Sequence, residues 1–238
     1  MKMLEFKSVS KSYPGKKLAV NNLNLKVNAG DIYGFIGHNG AGKTTAIRCA
    51  VGILNFEEGD IFIDGISIKE DPVACKRMLA FIPDNPDIYD HLTGYQYINF
   101  IADVFQVRQE ERQERIKRYA NAFEMENDLY GLISGYSHGM KQKTSLIAAL
   151  VHAPKLLVLD EPFVGLDPVA AHTLKTIMRE LTQSGGAIFF STHVLDVAEK
   201  LCNHIAIIKN GSLVVDGDIE TVKGNASLED VFLELIEK

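Results

Sequence analysis

The sequence predicts an α/β fold in which a mostly parallel sheet is accompanied by an N-terminal antiparallel β subdomain and an inserted α-helical subdomain. Three observations lead to this prediction. Alternating apolar residues near the start of the chain are typical of half-buried antiparallel strands. Continuous apolar runs further along, separated by helical segments, indicate parallel strands that are covered on both faces. Residues 83–154 carry helical spacing without a convincing strand.

The individual elements follow from the local patterns. Short antiparallel strands are expected at residues 4–6, 23–27 and 61–63, and buried parallel strands at 32–36, 79–82, 156–160, 187–191 and 204–208. Helices are expected at 43–53, 169–182, 194–202 and 227–236. Asp167-Pro168 and Ser191-Thr192 supply two of the helix starts, and Ser227 with its acidic neighbours supplies another.

The segment between the strands at 79–82 and 156–160 is predicted to be helical. Apolar residues from Tyr97 to Phe105 lie on one helical face, and a charged helix is expected over 110–119. We therefore predict a single domain over residues 1–238. Its α/β core is formed by residues 1–82 and 155–238, and its helical subdomain by residues 83–154.

Composition restricts the classes of partner. The chain has 238 residues, of which 46% are hydrophobic, so a sizeable core is expected. Its formal net charge of −6 has the wrong sign for a protein whose main partner is nucleic acid. No apolar run approaches the roughly 20 residues of a membrane span, and the first residues lack the apolar core of a signal peptide. Any membrane role is therefore expected to depend on a partner protein.

The three cysteines, Cys49, Cys75 and Cys202, are far apart and form no CxxC arrangement. This usage fits a reducing cytoplasm. We interpret the three side chains as small hydrophobic residues of the core.

A phosphate-binding loop is the most specific motif in the sequence. The eight residues after the strand at 32–36 match G-x-x-x-x-G-K-[ST] and lead into a helix, as the P-loop motif requires: Gly37, His38, Asn39, Gly40, Ala41, Gly42, Lys43 and Thr44. Backbone N–H groups of such a loop, together with the helix N-terminus, bind phosphate oxygens. Lys43 would bind the outer phosphates and Thr44 a Mg²⁺ ion, and Thr45 follows in the same turn. The motif predicts a P-loop NTPase core.

Two adjacent carboxylates end the buried strand at 156–160. Asp160 and Glu161 would be costly to bury without a cation or water. In parallel sheets ligands bind at the carboxyl ends of strands, so we expect Asp160 to hold Mg²⁺ and Glu161 to act as the general base toward water. A charged pair that merely marks the exit of the strand into solvent is the alternative.

Four further segments resemble ABC-type ATPase subunits, and the resemblance covers essentially the whole chain. Residues 136–140 (Tyr-Ser-His-Gly-Met) resemble the family signature, residues 164–167 its D-loop, and residues 191–193 its switch histidine. Tyr13 stands where the family places a ring against adenine. Each segment also has a purely structural interpretation: Ser137 and Asp167 as helix caps, His193 as an ordinary residue at a strand end, and Tyr13 as a surface aromatic.

The resemblance implies a function for these residues. His193 would contact the γ-phosphate or the attacking water, and Ser137 and the backbone of Gly139 would donate to the γ-phosphate of a second subunit. It implies two ATP molecules with Mg²⁺, held in a head-to-tail homo- or heterodimer. It also implies transmembrane transporter subunits as partners and a peripheral location on the cytoplasmic face of the cell membrane.

Two departures from the family pattern give more specific expectations. Asp84 replaces the usual Gln after the strand at 79–82, so we predict a direct or water-mediated metal ligand, with a helix cap as the alternative. His138 and Met140 replace the usual Gly and Gln of the signature. The segment resembles bacterial exporter subunits, which favours export.

A docking site for the transmembrane partner is expected in the helical subdomain and the loop over 83–92. Pro86, Ile88, Tyr89 and Leu92 give this loop apolar surface, with ordinary internal packing as the alternative.

Two other functions are considered: a soluble ABC-type ATPase that acts on a macromolecular machine, and a P-loop kinase. The first usually has paired domains or a basic insertion, and the second lacks the serine signature.

Overall fold

The computed structural model describes residues 1–15 and 18–237 and has the predicted α/β fold. The strands are β1 (Lys2–Ser12), β2 (Leu18–Asn28), β3 (Ile32–Ile36), β4 (Glu58–Ile63), β5 (Ile66–Ser67), β6 (Leu79–Ile82), β7 (Leu156–Asp160), β8 (Ala187–Thr192), β9 (His204–Lys209) and β10 (Ser212–Asp218). The helices are α1 (Lys43–Ala50), α2 (Pro72–Met78), α3 (Gly94–Val104), α4 (Gln109–Ala122), α5 (His138–Leu150), α6 (Pro168–Gln183), α7 (Leu195–Leu201), α8 (Ile219–Lys223) and α9 (Leu228–Glu237).

The strands form two sheets. The first is antiparallel, with the order β2-β1-β4-β5. Its strands β1, β2 and β4 are longer than predicted, and the two-residue β5 was not predicted. The second has the order β10-β9-β3-β8-β7-β6, in which all neighbours are parallel except β9 and β10. The carboxyl ends of β3, β7 and β8 therefore meet at one edge of this sheet, which is where the predicted site residues follow.

The larger sheet is buried on both faces, as its continuous apolar runs predict. Alternate residues of β8 separate to the two sides: Phe190 packs with the helices α3 to α6, and Phe189 packs with α1 and the antiparallel sheet. The three cysteines are free and buried within these two clusters, which confirms their interpretation as core residues. Burial raises the pKa of the Cys49 thiol to about 12, so this thiol stays neutral.

Several elements differ from the prediction, among them the unpredicted β5 and α8 and the three described next. The helix expected over 43–53 ends at Ala50, because Val51 leaves the helical region and Gly52 takes a φ of +67°. Strand β10 was not predicted, although Asn210-Gly211, with φ values of +51° and +81°, forms the hairpin turn that joins it to β9. Helix α2 was also missed, despite the Asp71 cap and Pro72 at its start.

The segment 83–154 contains α3, α4 and α5, and its described residues form no strand beyond an isolated bridge between Thr93 and Leu132. Thr93 caps α3 in a reciprocal arrangement with Gln96. Asp84 therefore does not cap the first helix of this segment, so that alternative is wrong. The division into core and inserted subdomain stays a prediction.

The predicted caps of three other helices are confirmed in part. Ser227 Oγ accepts from the N–H of Asp230 at 3.1 Å at the start of α9. Asp167 caps α6 through the N–H of Ala170. Ser191-Thr192 does not begin α7, whose cap is Val194, because both residues still belong to β8. In the part of the chain that the structure describes, no helix is sufficiently long and apolar to cross a membrane.

Candidate nucleotide site

The loop between β3 and α1 is closely constrained by its surroundings. A Cβ on Gly42, whose φ is +111°, would lie 2.2 Å from the carbonyl oxygen of Ala19, and a Cβ on Gly37 would lie 2.7 Å from that of Ile208. Only glycine satisfies these two positions. The loop closes with a hydrogen bond from Ala41 N–H to His38 O at 3.1 Å and then enters α1. The first N–H groups of α1 have no acceptor within the helix, so they are available to an anion at this N-terminus.

The ammonium group of Lys43 lies within this loop. It donates to the carbonyl oxygen of Gly37 at 2.6 Å, and the side chain is only 6% exposed. The same nitrogen lies 3.5 Å from Oε1 of Glu161. A buried cation is therefore held between the loop and a carboxylate.

The two carboxylates predicted at the end of β7 lie beside this lysine. Asp160 is 1% exposed and accepts a short hydrogen bond from the hydroxyl of Ser191 on β8. The backbone N–H of Glu161 donates to the same hydroxyl at 3.1 Å, and Glu161 adopts a φ of +49°. Ser191 is a residue that sequence reasoning missed as part of the site, because its contacts depend on the register between β7 and β8.

His193 follows β8 and completes the cluster. Its Nδ1 lies 3.0 Å from Oε2 of Glu161, so the carboxylate of Glu161 lies between the imidazole and the ammonium of Lys43. His193 is half exposed, which leaves its other ring nitrogen accessible to a ligand. The structure thus brings together Lys43, Glu161 and His193, the three residues predicted to act in hydrolysis.

Two other predicted residues lie at the surface. Tyr13 is 36% exposed, and the ammonium of Lys11 lies 5.7 Å from the centroid of its ring. Asp84 is exposed, and its Oδ1 accepts from the N–H of Asn85 at 2.9 Å. Their roles toward adenine and Mg²⁺ stay predictions.

The signature residues begin α5. Ser137 caps this helix by accepting from Met140 N–H at 3.3 Å, while the adjacent Gly139 is half-buried. Among the described residues, no hydrogen bond joins Ser137 or Gly139 to the phosphate loop at 37–45. The role of Ser137 as a helix cap is therefore confirmed, and its donation to a phosphate stays a prediction.

Helix α5 is tied to the loop that follows Glu161. Gln142, which is fully buried, donates through Nε2 to Pro162 O at 2.9 Å. Lys143 forms an ion pair with Asp167 at 2.8 Å. The hydrogen bond from Lys143 lowers the pKa of Asp167, so this carboxylate keeps its charge.

The donor set fits a triphosphate with a hard cation. The loop offers backbone N–H groups and one ammonium. Asp160 offers a buried carboxylate beside Glu161, whose own carboxylate contacts Lys43, and Thr44 in the first turn of α1 is half-buried. The described residues contain no cluster of three or more His, Cys, Asp or Glu side chains that would hold a metal by themselves. Mg²⁺ is usually bound by one or two protein oxygens together with substrate phosphates and water, and Asp160 and Thr44 offer oxygens of this kind.

Comparison with known proteins decides the family. The profile of the ABC transporter family matches residues 20–164. The chain belongs to the ABC transporter family. It is 32% identical to the ABC-type transporter ATP-binding protein EcsA of Bacillus subtilis, over 99% of this chain and 97% of that protein. It is 33% identical to the choline transport ATP-binding protein OpuBA of Bacillus subtilis, over 98% of this chain and 61% of that protein.

Solved structures agree with this assignment. The ATP-binding subunit of an ABC transporter superposes with a TM-score of 0.94 at 32% identity, covering 98% of this chain and 99% of that one. The dimeric ATP-binding cassette MJ0796 with ADP and Pi has a TM-score of 0.82 at 22% identity, which shows a shared fold. The chain is thus the ATP-binding subunit of a transporter and an ATPase. Cassettes of this family typically dimerise and pair with transmembrane subunits.

Proposed function

We propose that this ABC ATPase powers an exporter, and that two cassettes close around two Mg²⁺-ATP molecules during each cycle. The observation that carries the proposal is the incomplete site of the single chain. Lys43, Glu161 and His193 converge beside the phosphate loop, whereas Ser137 is engaged only with its own helix. A phosphate bound at the loop would gain the donors at Ser137 and Gly139 only when a second cassette approaches head to tail.

In this proposal each residue of the cluster has one task. Lys43 binds the β- and γ-phosphates, as it is buried within the loop and held at Gly37 O. Glu161 accepts a proton from the attacking water, and His193 orients the Glu161 carboxylate and contacts the γ-phosphate. Bound Mg²⁺, held through Thr44 and Asp160, supplies charge neutralisation of the phosphates. Loss of the γ-phosphate contact across the interface then lets the dimer open.

The groove beside α3 and α5 supports a transmembrane partner. A cavity of about 340 Å³ lies between the end of β6 and these two helices, with walls that include Phe81, Ile101, Phe105, Ala149 and His152. Such a groove suits an apolar helical segment of a partner. Tyr89 lies outside the groove with its ring 6.0 Å from that of the lining residue Tyr97. Tyr89 and Phe100 are 49% and 42% exposed and contact each other through their rings.

The loop over 83–92 contributes less surface than the sequence predicts. Pro86 and Ile88 are buried against the groove, so the alternative of internal packing holds for these two residues. Leu92 is half-buried, and Tyr89 provides the exposed apolar surface. Docking is therefore expected to rely on Tyr89 and on Phe100 from α3.

Export as the direction rests on the signature segment, in which Ser-His-Gly-Met-Lys-Gln resembles bacterial exporter subunits. Inside-out membrane vesicles containing this chain and a polytopic chain encoded beside it provide the test. ATP should drive accumulation of cargo in the vesicle lumen. ATP-driven loss of preloaded cargo would instead mean import.

Membrane recruitment is tested by substitutions of the two exposed rings beside the groove. Tyr89→Glu with Phe100→Glu should release the chain from membranes that contain the polytopic partner. Burying the two introduced carboxylates against an apolar partner surface would cost free energy. Val214→Glu, on an equally exposed valine of β10, is the matched control and should leave binding unchanged. Cosedimentation with ribosomes but not with membranes would favour the soluble ATPase instead.

A further inference from the structure

Ser191 of β8 lies beside Asp160 and Glu161, the two acidic residues at the end of β7. Its side chain is fully buried at the carboxyl end of β8, between β3 and β7. In the register of the sheet, Ser191 is opposite Asp160 on β7 and Phe35 on β3. Strand alternation directs Ser191 and Asp160 to the same face as Phe189, which packs with α1.

The hydroxyl of Ser191 acts both as a hydrogen-bond donor and as an acceptor. It donates to Oδ1 of Asp160 in a short hydrogen bond, and it accepts from the backbone N–H of Glu161 at 3.1 Å. A serine hydroxyl has one donor and two acceptor positions, so this single oxygen serves both neighbours. Hydrogen bonds to an ionised carboxylate are also among the stronger ones in proteins.

The backbone of Glu161 explains why its N–H needs a fixed partner. Its φ of +49° is in the left-handed region, which costs a residue with a side chain about 1 kcal/mol or more. The backbone conformation sets the direction of the Cα–Cβ bond. The contacts of Glu161 with Lys43 at 3.5 Å and with His193 at 3.0 Å therefore depend on keeping this conformation.

We propose that Ser191 is a positioning residue for ATP hydrolysis. Its hydroxyl orients the carboxylate of Asp160 and holds the backbone of Glu161 in the conformation that aims the Glu161 side chain at the phosphate site. This inference rests on the roles proposed above for Asp160 and Glu161. Because Ser191 contacts the carboxylate of Asp160 and the backbone of Glu161 rather than the phosphate loop, it acts on the hydrolytic step and not on the binding of metal-free ATP.

A buried serine also stabilises a fold, so the test needs a matched control. Ser67 provides one, since its hydroxyl donates to Asp60 at 2.8 and 3.0 Å and accepts from the N–H of Lys69 at 3.2 Å. Ser67 is 3% exposed and lies in the antiparallel sheet, remote from the site in the fold. Ser67→Ala thus removes the same kind of hydrogen-bond pair without touching the carboxylates of the site.

The experiment compares the full-length parent with Ser191→Ala, Ser191→Thr and Ser67→Ala in steady-state ATPase assays. Ser191→Ala should lower kcat by about 10- to 100-fold, since small displacements of catalytic groups have effects of this size. The Kd for a fluorescent ATP analogue, measured without Mg²⁺ so that Asp160 does not act through the metal, should stay within about twofold, because the contacts of the phosphate loop are retained. Ser191→Thr should restore most of the kcat, and Ser67→Ala should leave kcat unchanged.

The opposite results overturn the proposal. A kcat of Ser191→Ala within about twofold of the parent would show that the hydroxyl does not position the carboxylates. An equal loss of kcat in Ser67→Ala, at equal loss of thermal stability, would show a purely structural role. Glu161→Gln is measured in parallel. If Glu161→Gln turns over at the parent rate, the role of Glu161 itself fails, whereas a slow Glu161→Gln beside a fast Ser191→Ala refutes only the role of Ser191.

Discussion

Nδ1 of His193 lies 3.0 Å from Oε2 of Glu161, although the two residues follow different strands of the parallel sheet. Strands β7 and β8 are adjacent and parallel, so their carboxyl ends deliver both side chains to one edge. The other carboxylate oxygen of Glu161 faces Lys43 at 3.5 Å. Glu161 is therefore the residue on which the two cationic or protonatable groups of the site converge.

Removing the imidazole should slow hydrolysis. In His193→Ala the Glu161 carboxylate loses its nearest partner, and we expect kcat to fall by about 100-fold while the KM for ATP changes little. Steady-state ATPase assays measure both constants. His172→Ala, at an exposed position on α6, is the control. A parent-like kcat for His193→Ala would remove His193 from the mechanism.

Asp84 is predicted to contribute to the metal site. Asp84→Ala should raise the Mg²⁺ concentration that half-saturates ATPase activity by about three- to tenfold, because a direct or water-mediated oxygen ligand is lost. ATP binding should weaken less. A Mg²⁺ titration of ATPase activity at saturating ATP is the measurement, and Asp87→Ala, three residues along in the same exposed loop, is the control. An unchanged titration curve would show that the carboxylate only binds the N–H of Asn85.

Asp167 both caps α6 and pairs with Lys143, and two substitutions distinguish the cap from the ion pair. Its Oδ1 accepts from Ala170 N–H at 2.8 Å as the cap of α6, and its Oδ2 pairs with Lys143. Asp167→Ala should lower the free energy of unfolding by about 1 kcal/mol, as the loss of a helix cap does, whereas Asp167→Asn should retain most of it. Since the pKa of Asp167 is lowered in the fold, the stabilisation from its charged form is complete above pH ~4 and decreases as the pH falls from there through the lowered pKa. Urea unfolding of both variants at neutral pH and near pH 3 provides the measurement, and equal losses in both variants would refute the cap.

His152 should make folding stability depend on pH. Burial lowers the pKa of its imidazole to about 4, and the ring stacks on Phe105 with centroids 3.7 Å apart. The unfolded chain therefore binds a proton that the folded chain does not between about pH 6.5 and pH 4. The stability contribution is complete above pH ~6.5 and decreases as the pH falls toward 4. His152→Gln should lose less stability than the parent over this interval in urea unfolding, and identical pH profiles would contradict the assignment.

The sequence carries enough information to predict the core of the site, because its motifs are local. The loop before Lys43 and the carboxylates after β7 are recognisable from neighbouring residues alone, and parallel topology then brings them together. Ser191 escaped prediction because a serine at a strand end has no local signature. Only the register that places it opposite Asp160 reveals its contacts.

The burial of residues in the loop beside the groove could not be predicted from the sequence either. Ile88 and Tyr89 are adjacent apolar residues of one loop, yet one is 6% and the other 49% exposed. Which of them packs inward depends on how the loop meets α3 and α5, and the sequence pattern of a loop does not encode that. The hairpin turn at Asn210-Gly211 is different, because this dipeptide is a local hairpin signal, and β10 was missed although the signal was present.

The central claim is that ATP closes two cassettes around a shared site. The most direct measurement is the molecular mass of Glu161→Gln in solution, by light scattering after size exclusion, with and without Mg²⁺-ATP. The account predicts a monomer without nucleotide and a dimer with it, which Ser137→Ala in the same background should weaken. A Glu161→Gln protein that binds ATP stoichiometrically and stays monomeric would contradict it.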